Sequence, residues 1–312
     1  MNTKTILITG GAGYIGSVLA MQLQQRGYHI VIIDDLSTGL EANIPPNCTF
    51  YAMDINSSEL ATVFAKHMPE YIVHMAASKS VNESMKHPEK FRKINVDGSK
   101  HVIDVAMSCG IQNLLFTSTA GVYGDVTTAT AQQESDIPHP SSPYAETKLE
   151  IETYILEKNT QGFHGTIVRF ANVYGSGGKA DQKGAINIFI EKIIAREPIA
   201  IHGDGNQTRD FVHIDDLISA CIAILQSPVI ETRESPVYNI STGKDISINM
   251  LISLIARLSH RDPITQFQPS TFIGQKSSLL STQKAKNIMG WEAKISLEKG
   301  ITDMVDQYTK NL

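Results

Sequence analysis

The chain has 312 residues, 42% hydrophobic and 19% charged, with 27 Lys and Arg against 32 Asp and Glu for a net charge of −5. That is enough chain for one large or two medium domains, and it excludes a disordered polyelectrolyte or a stapled miniprotein. The acidic balance gives no general attraction to nucleic acid or anionic lipid, no apolar run approaches the roughly 18 residues of a membrane span, and MNTKTILITGG lacks the apolar core of a secretion signal. A cytosolic enzyme-sized protein is expected. Cys48, Cys109 and Cys221 lie far apart without a CxxC pair and leave one over from any disulfide scheme, so they read as reduced, half-buried small hydrophobes. No metal site is expected.

Along the first half, short apolar runs alternate with helical stretches. Thr5 to Ile8, His29 to Ile33, Thr49 to Met53, Tyr71 to Met75, Leu114 to Phe116 and Thr166 to Arg169 read as strands. Ser17 to Arg26, Ser58 to Lys66 and Val96 to Ser108 read as helices between them. Continuous rather than alternating apolar strands imply burial on both faces. The fold class is therefore α/β, a doubly wound parallel sheet. After residue 174 the rhythm breaks at the Gly-rich stretch 175–184. Helices over Ile186 to Ala195, Ile214 to Leu225 and Ile248 to Leu258 then mix with isolated short strands at Pro198 to Ile201 and Val237 to Ile240. Residues 1–174 thus read as a nucleotide-binding domain and 175–312 as mainly a smaller substrate domain, with chain crossing between them and a ligand site at their interface.

Thr9 to Gly16, TGGAGYIG, follows the first strand and opens an amphipathic helix. Glycines there permit the tight turn and bring backbone close to a pyrophosphate, which sits on the positive helix end. The string alone also fits an ordinary glycine-rich turn. The second strand ends in Asp34-Asp35, at about the 20-residue spacing at which an acid accepts from the adenosine ribose. A carboxylate at Asp34 repels a 2′-phosphate, and no Arg or Lys follows before Glu41, so NAD is favoured over NADP. Asp54, after the third strand, stands to touch the adenine or to cap a helix.

Tyr144 and Lys148, four apart in PYAETK, project from one face of a helix. A phenol near pKa 10 is a poor base at neutral pH, and an adjacent ammonium and nicotinium ring would favour the phenolate. The pair alone is common on solvated helices, but the strand-end run Phe116-Thr117-Ser118-Thr119 adds hydroxyls at the sheet edge where such folds bind ligands.

These segments resemble the extended short-chain dehydrogenase/reductase family in its nucleotide-sugar epimerase branch. TGGAGYIGS, HMAASKSV, INVDGS, FTSTAGVYGD, PYAETK, VRFANVYG, GDGNQTRDFVHIDD and GWEAKISLEKG follow the family's order nearly end to end. The resemblance implies a Rossmann-like domain with NAD lined by Gly10, Gly13, Tyr14, Ile15, Gly16, Asp34, Asp54, Ile55, Ala76, Ala77, Lys79, Asn95, Ser118, Tyr144 and Lys148. It implies Tyr144 as acid/base, Lys148 on the nicotinamide ribose, and Thr119 on the sugar 4-hydroxyl. Asn172 and Arg209 would grip the diphosphate, and the strand ending at His202 would run along the uracil, although His202 reads equally well as a surface residue. Homodimerisation is common in the family.

The reaction this implies is UDP-sugar 4-epimerisation through a 4-keto intermediate, the sugar C4 passing hydride to tightly bound NAD and receiving it back. A dehydratase or reductase of the same family is the alternative, but Ala120-Gly121 occupy the positions where dehydratases carry proton-moving acids. A regulator that binds NAD without turnover would have no need of Tyr144, Lys148 and Thr119 together. Ser278 falls near the residue that sets sugar-pocket size; a small side chain there resembles relatives that accept UDP-GlcNAc and UDP-GalNAc as well as UDP-Glc and UDP-Gal, and a plain loop serine is the other reading. The family's second diphosphate-binding Arg is missing from Ser270 to Gly274. Lys276 or Arg261 replaces it, or the nucleotide is held differently.

Overall fold

The computed structural model of the chain describes residues 4–125, 130–177, 184–226, 236–269 and 276–310. Its first half runs β1 (Thr5–Thr9), α1 (Tyr14–Gln25), β2 (His29–Asp34), β3 (Thr49–Ala52), α2 (Leu60–His67), β4 (Tyr71–His74), α3 (Val81–Lys86), α4 (Pro88–Phe91), α5 (Ser99–Ser108), β5 (Asn113–Thr119), α6 (Pro143–Asn159) and β6 (His164–Phe170). The second half runs β7 (Asn172–Tyr174), α7 (Ala185–Ala195), β8 (Pro198–His202), β9 (Thr208–His213), α8 (Ile214–Gln226), β10 (Val237–Ile240), β11 (Asp245–Ser247), α9 (Ile248–Ser259), β12 (Ile264–Gln268), α10 (Gln283–Met289) and α11 (Leu297–Lys310).

Seven parallel strands form the main sheet in the order β3-β2-β1-β4-β5-β6-β10. The apolar run of β1 loses water on both faces, because each face is roofed by helices. On one side α1 and α8 pack Leu19, Leu23, Leu217 and Cys221 into a common cluster; on the other, α2, α5 and α6 contribute Phe64, Ile103 and Ile151. Strand order reverses at β1, with β2 and β3 to one side and β4 onward to the other. In such sheets the crevice beyond the carboxyl ends at this switch is where ligands bind.

The smaller part is built differently. Strands β11-β9-β7 make a mixed three-stranded sheet and β12-β8 a parallel pair. Helices α7, α9 and α11 close over β8 and β9 around Ile190, Ile193, Ile199, Leu251 and Met304. Two expectations about strands change here. Val237–Ile240 is no isolated strand: it pairs in parallel with Ile167–Phe170 as the seventh strand of the main sheet. Pro198–Ile201 is not isolated either, since it pairs with Ile264–Phe267.

The helix expected from Val96 begins as a π-helical turn over Arg92–Gly98 and becomes α-helical at Ser99. Among the cysteines, Cys48 and Cys109 are half-buried free thiols, whereas Cys221 is fully buried under the sheet, because α8 turns that face inward. Among the described residues no helix is long and apolar enough to cross a membrane.

Candidate active site

The turn after β1 meets the turn after β4. Gly10 adopts φ +74°, and a Cβ there would lie 2.7 Å from the Ala76 backbone nitrogen. The positive φ and the close approach both require glycine. Gly16 sits equally tightly, its would-be Cβ 2.3 Å from the Gly10 carbonyl oxygen, so α1 starts hard against the turn. That helix start carries no side-chain cap, leaving first-turn N–H groups for an anion. Asp34 closes the opposite side, its carboxylate accepting from Ala12 N at 3.0 Å and Leu36 N at 2.9 Å. Burial pushes the Asp34 carboxyl up, against the pull of these two amides. Each oxygen keeps a lone pair for a further donor.

One cleft is lined by Gly10, Gly13, Tyr14, Ile15, Gly16, Asp34, Asp54, Ile55, Ala76, Ala77, Lys79, Ser118, Tyr144 and Lys148. Thr38, Met53, Ser78 and Phe170, which the sequence did not single out, line it too. Asn95 stands behind the wall instead: its side chain accepts from Ser78 N at 2.8 Å and donates to Ser78 O at 3.0 Å and to Thr147 Oγ1 at 3.1 Å. It shapes the β4 loop from within the π-helical turn. Asp54 closes a tight turn through Asn56 N at 2.8 Å, while Glu59 occupies the cap position of α2. A cradle that side chains would fill, an uncapped helix start and a strand-end acid together fit a dinucleotide.

Tyr144 reaches this cleft because Ser142 and Pro143 start α6. The Ser142 hydroxyl accepts from Ala145 N at 3.3 Å, and proline occupies the first helical position. The phenol is hydrogen-bonded with the Thr119 hydroxyl. Gly121 N donates to Thr119 Oγ1 at 3.1 Å, so the hydroxyl proton is free for the phenolic oxygen. Burial nevertheless pushes the Tyr144 phenol up to about 12, the Thr119 bond opposing. Lys148 lies one turn on, its Nζ 4.5 Å from the Phe116 ring centroid. Burial pushes its ammonium down to about 7, and the Glu152 carboxylate opposes that fall.

His74, at the end of β4, is fully buried beneath the cleft. Its ring bonds Thr9 Oγ1 at 2.6 Å and Ser99 Oγ at 2.7 Å. Burial, and secondarily the Lys148 charge, lowers it from 6.5 to about 3. Below its ordinary pKa the unfolded chain takes this proton while the folded chain refuses it until about pH 3. Stability therefore falls as pH drops through that window. We expect His74→Gln to flatten the dependence by close to one proton, about 1.4 kcal/mol per pH unit, in urea unfolding followed from pH 6.5 downward. Parallel wild-type and variant slopes would remove His74 as the cause.

The expected substrate residues do not line this cleft. Arg209 on β9 donates to Thr208 O at 2.6 Å, and burial lowers its pKa while the nearby Asp125 carboxylate opposes. Asp125 also accepts from Lys276 N at 2.7 Å. The chain from Lys276 onward runs along β9, accepting from Thr208 N at 3.0 Å and Asp210 N at 2.9 Å, which sets Ser278 beside Arg209. Ser278 is buried, and its hydroxyl has no partner among the described residues. Asn172 is exposed at the start of β7, and His202 is exposed at the end of β8. Arg261 donates to Ile194 O at 3.1 Å, at the end of α7. The segment from Ser270 to Gln275 lies outside the described residues.

A buried polar chain behind the cleft was not anticipated. Ser118 Oγ donates to Glu152, Arg169 Nη2 donates to Glu152 at 2.6 Å, Arg169 Nη1 to the Tyr123 hydroxyl at 2.8 Å, and Tyr123 to Asn239 Oδ1 at 2.8 Å. The one sequence signal was Glu152 itself, a carboxylate on the same helical face as Tyr144 and Lys148.

The chain is similar in sequence and fold to known proteins. The profile of the NAD dependent epimerase/dehydratase family matches residues 6–241. The UDP-glucose 4-epimerase of Mycolicibacterium smegmatis is 31% identical over 311 residues, 96% of this chain and 97% of the relative. The crystal structure of the Thermotoga maritima UDP-glucose 4-epimerase with UDP-glucose superposes with a TM-score of 0.91 at 34% identity, over 98% of this chain and 99% of that one. The Thermus thermophilus UDP-glucose 4-epimerase in complex with NAD gives 0.91 at 28% identity, over 99% of this chain and 100% of that one.

Proposed function

The chain belongs to the NAD dependent epimerase/dehydratase family, and from that premise we propose that it is a UDP-sugar 4-epimerase working with NAD in the cleft between β1 and β4. The observation that carries the reading is that Tyr144, hydrogen-bonded with Thr119, shares one cleft with Lys148, the glycine turn and Asp34. When bound, NAD supplies the acceptor and donor of hydride at the sugar C4.

The chain's own residues supply the rest. Asp34 accepts from the adenosine ribose, and its charge disfavours a 2′-phosphate. Lys148 holds the nicotinamide ribose and brings positive charge toward the phenol. Tyr144 Oη takes the proton of the sugar 4-hydroxyl, which Thr119 orients, and returns it once the sugar presents its other face. Elimination of water is disfavoured because Ala120 and Gly121, next to Thr119, carry no proton-moving group.

Arg209 and Asn172 grip the diphosphate, Arg209 as a permanently charged donor with the Asp125 carboxylate near it. Lys276 takes the place of the missing second Arg: its backbone is tied to the same Asp125, whereas Arg261 is engaged at the end of α7. The small, buried Ser278 with its unspent hydroxyl leaves room for a 2-acetamido group. The similar enzymes named above act on or bind UDP-glucose, so UDP-Glc and UDP-Gal are substrates on this reading, and Ser278 adds UDP-GlcNAc and UDP-GalNAc.

Product stereochemistry across a panel of UDP-, dTDP- and GDP-sugars tests the whole. We expect inversion at C4 with no stoichiometric change in NADH absorbance; a released keto or deoxy product would replace the epimerase with a dehydratase or reductase. Good UDP-glucose turnover beside none for UDP-GlcNAc would withdraw the role given to Ser278.

A further inference from the structure

Behind the cleft, α6 crosses β5 and β6 with a row of polar groups facing inward. Ser118 on β5 and Arg169 on β6 are register partners, so both side chains leave the sheet toward the same helix. Lys148 and Glu152 stand one turn apart on that helix. Glu152 and Arg169 are 1% and 4% exposed, a sealed ion pair in a place where apolar residues would pack at lower cost. The guanidinium donates through Nε to both Glu152 oxygens, at 3.1 and 3.2 Å, and through Nη2 at 2.6 Å. Its remaining edge is fixed by the Tyr123 hydroxyl, with the Tyr123 ring 4.7 Å away.

Ser118 gives its single proton to Glu152, so at the cleft wall it offers only lone pairs. The titratable and charged groups around Lys148 are Tyr144 and Glu152 from its own helix, His74 from β4, and Arg169 from β6 beyond Glu152. Tyr144 and His74 are neutral near neutrality. Among the described residues Glu152 is the negative charge that acts on Lys148, and Arg169 holds both oxygens of that carboxylate.

We propose that Glu152, clamped by Arg169, is a positioning residue for the reaction: it fixes Ser118 as an acceptor and supplies the negative charge that keeps the Lys148 ammonium protonated inside the protein. Desolvation in this sealed place pulls Lys148 toward its neutral form, and the Glu152 carboxylate opposes it. A neutral amine brings no charge to a phenolate. Glu152 thus acts on Tyr144 through Lys148. Its direct repulsion of the phenolate is weaker, since eight residues along a helix separate them by about 12 Å against about 6 Å for Tyr144 and Lys148.

This inference rests on the epimerase reading, and its test does not need turnover. Tyr144 phenolate formation is followed in the NAD-loaded full chain by ultraviolet difference titration against Tyr144→Phe made in the same background. Glu152→Gln keeps the shape and an acceptor for Ser118 but removes the charge. We expect the phenolate midpoint to rise by about one pH unit or more, kcat at neutral pH to fall with KM unmoved, and Glu152→Asp to bring both back toward wild type. An unmoved midpoint in folded Glu152→Gln overturns the proposal.

If Arg169 left unpaired unfolds that variant, the double variant Glu152→Gln/Arg169→Gln takes its place: a raised midpoint supports the proposal, and a wild-type midpoint overturns it. Failure of both Gln variants to hold the fold with NAD makes Glu152 a strut and also overturns it. Wild-type protein that epimerises nothing would sink the functional reading while leaving the phenolate measurement to stand or fall by itself.

Discussion

Tyr144→Phe is expected to lower turnover by about 10²–10⁴-fold, the usual contribution of a positioned general acid/base, while NAD stays bound. The change removes one oxygen from a residue whose ring is already buried, so α6 and the cleft wall keep their shape. Thr119 loses the partner for its hydroxyl but retains the Gly121 amide. Thr119→Ala acts on the same proton from the other side and should produce a smaller loss, because the phenol survives. Two measurements settle it: the steady-state rate with UDP-glucose, and the NAD content of the purified protein. Turnover retained in Tyr144→Phe would take the proton transfer away from this residue.

The second large effect is expected at Gly16. A methyl group there would meet the Gly10 carbonyl oxygen at 2.3 Å and the Gly11 Cα at 2.9 Å, all of it backbone that cannot rotate aside. The start of α1 would have to retreat from the turn that presses on Ala76, opening the cradle where a pyrophosphate would lie. Overpacking of this kind costs about 1–3 kcal/mol, and spent against the bound state alone, that lowers NAD affinity by about 5- to 150-fold. Gly13 offers the control, since its nearest neighbour would be the same carbonyl oxygen at 3.2 Å. We expect Gly13→Ala to retain more NAD than Gly16→Ala when both are titrated with the dinucleotide. An equal loss in the two would mean that the glycines matter for flexibility rather than for space.

The residues that were legible in the sequence are those whose chemistry is local. The glycine turn, Asp34 and the Tyr144–Lys148 pair lie within single strand-to-helix junctions or on one helix, where spacing alone determines direction. The Glu152–Arg169 pair was not legible, because its members come from different elements and meet only when β6 pairs with β5 under α6. Val237–Ile240 failed for a related reason: four buried residues announce a strand but say nothing about which sheet receives it. β12 was missed because all five of its residues are exposed and no alternation marks a buried face. Asn95 was placed at the ligand because its segment matched the family, whereas its amide spends its bonds on Ser78 and Thr147.

The return of the chain to the first sheet after β9 has a practical meaning. A fragment cut after Tyr174 would keep every glycine of the nucleotide turn yet leave β6 as a bare edge and strip α8 from α1, baring Leu19 and Leu23 to water. The chain returns to the first sheet twice, at α8 with β10 and again at α10, so neither part can be lifted out as a cassette. Any recombination between such enzymes that exchanged sugar preference would have to carry 175–213, 241–282 and 296–310 across together while leaving in place α8 with β10 and the α10 segment that packs on them.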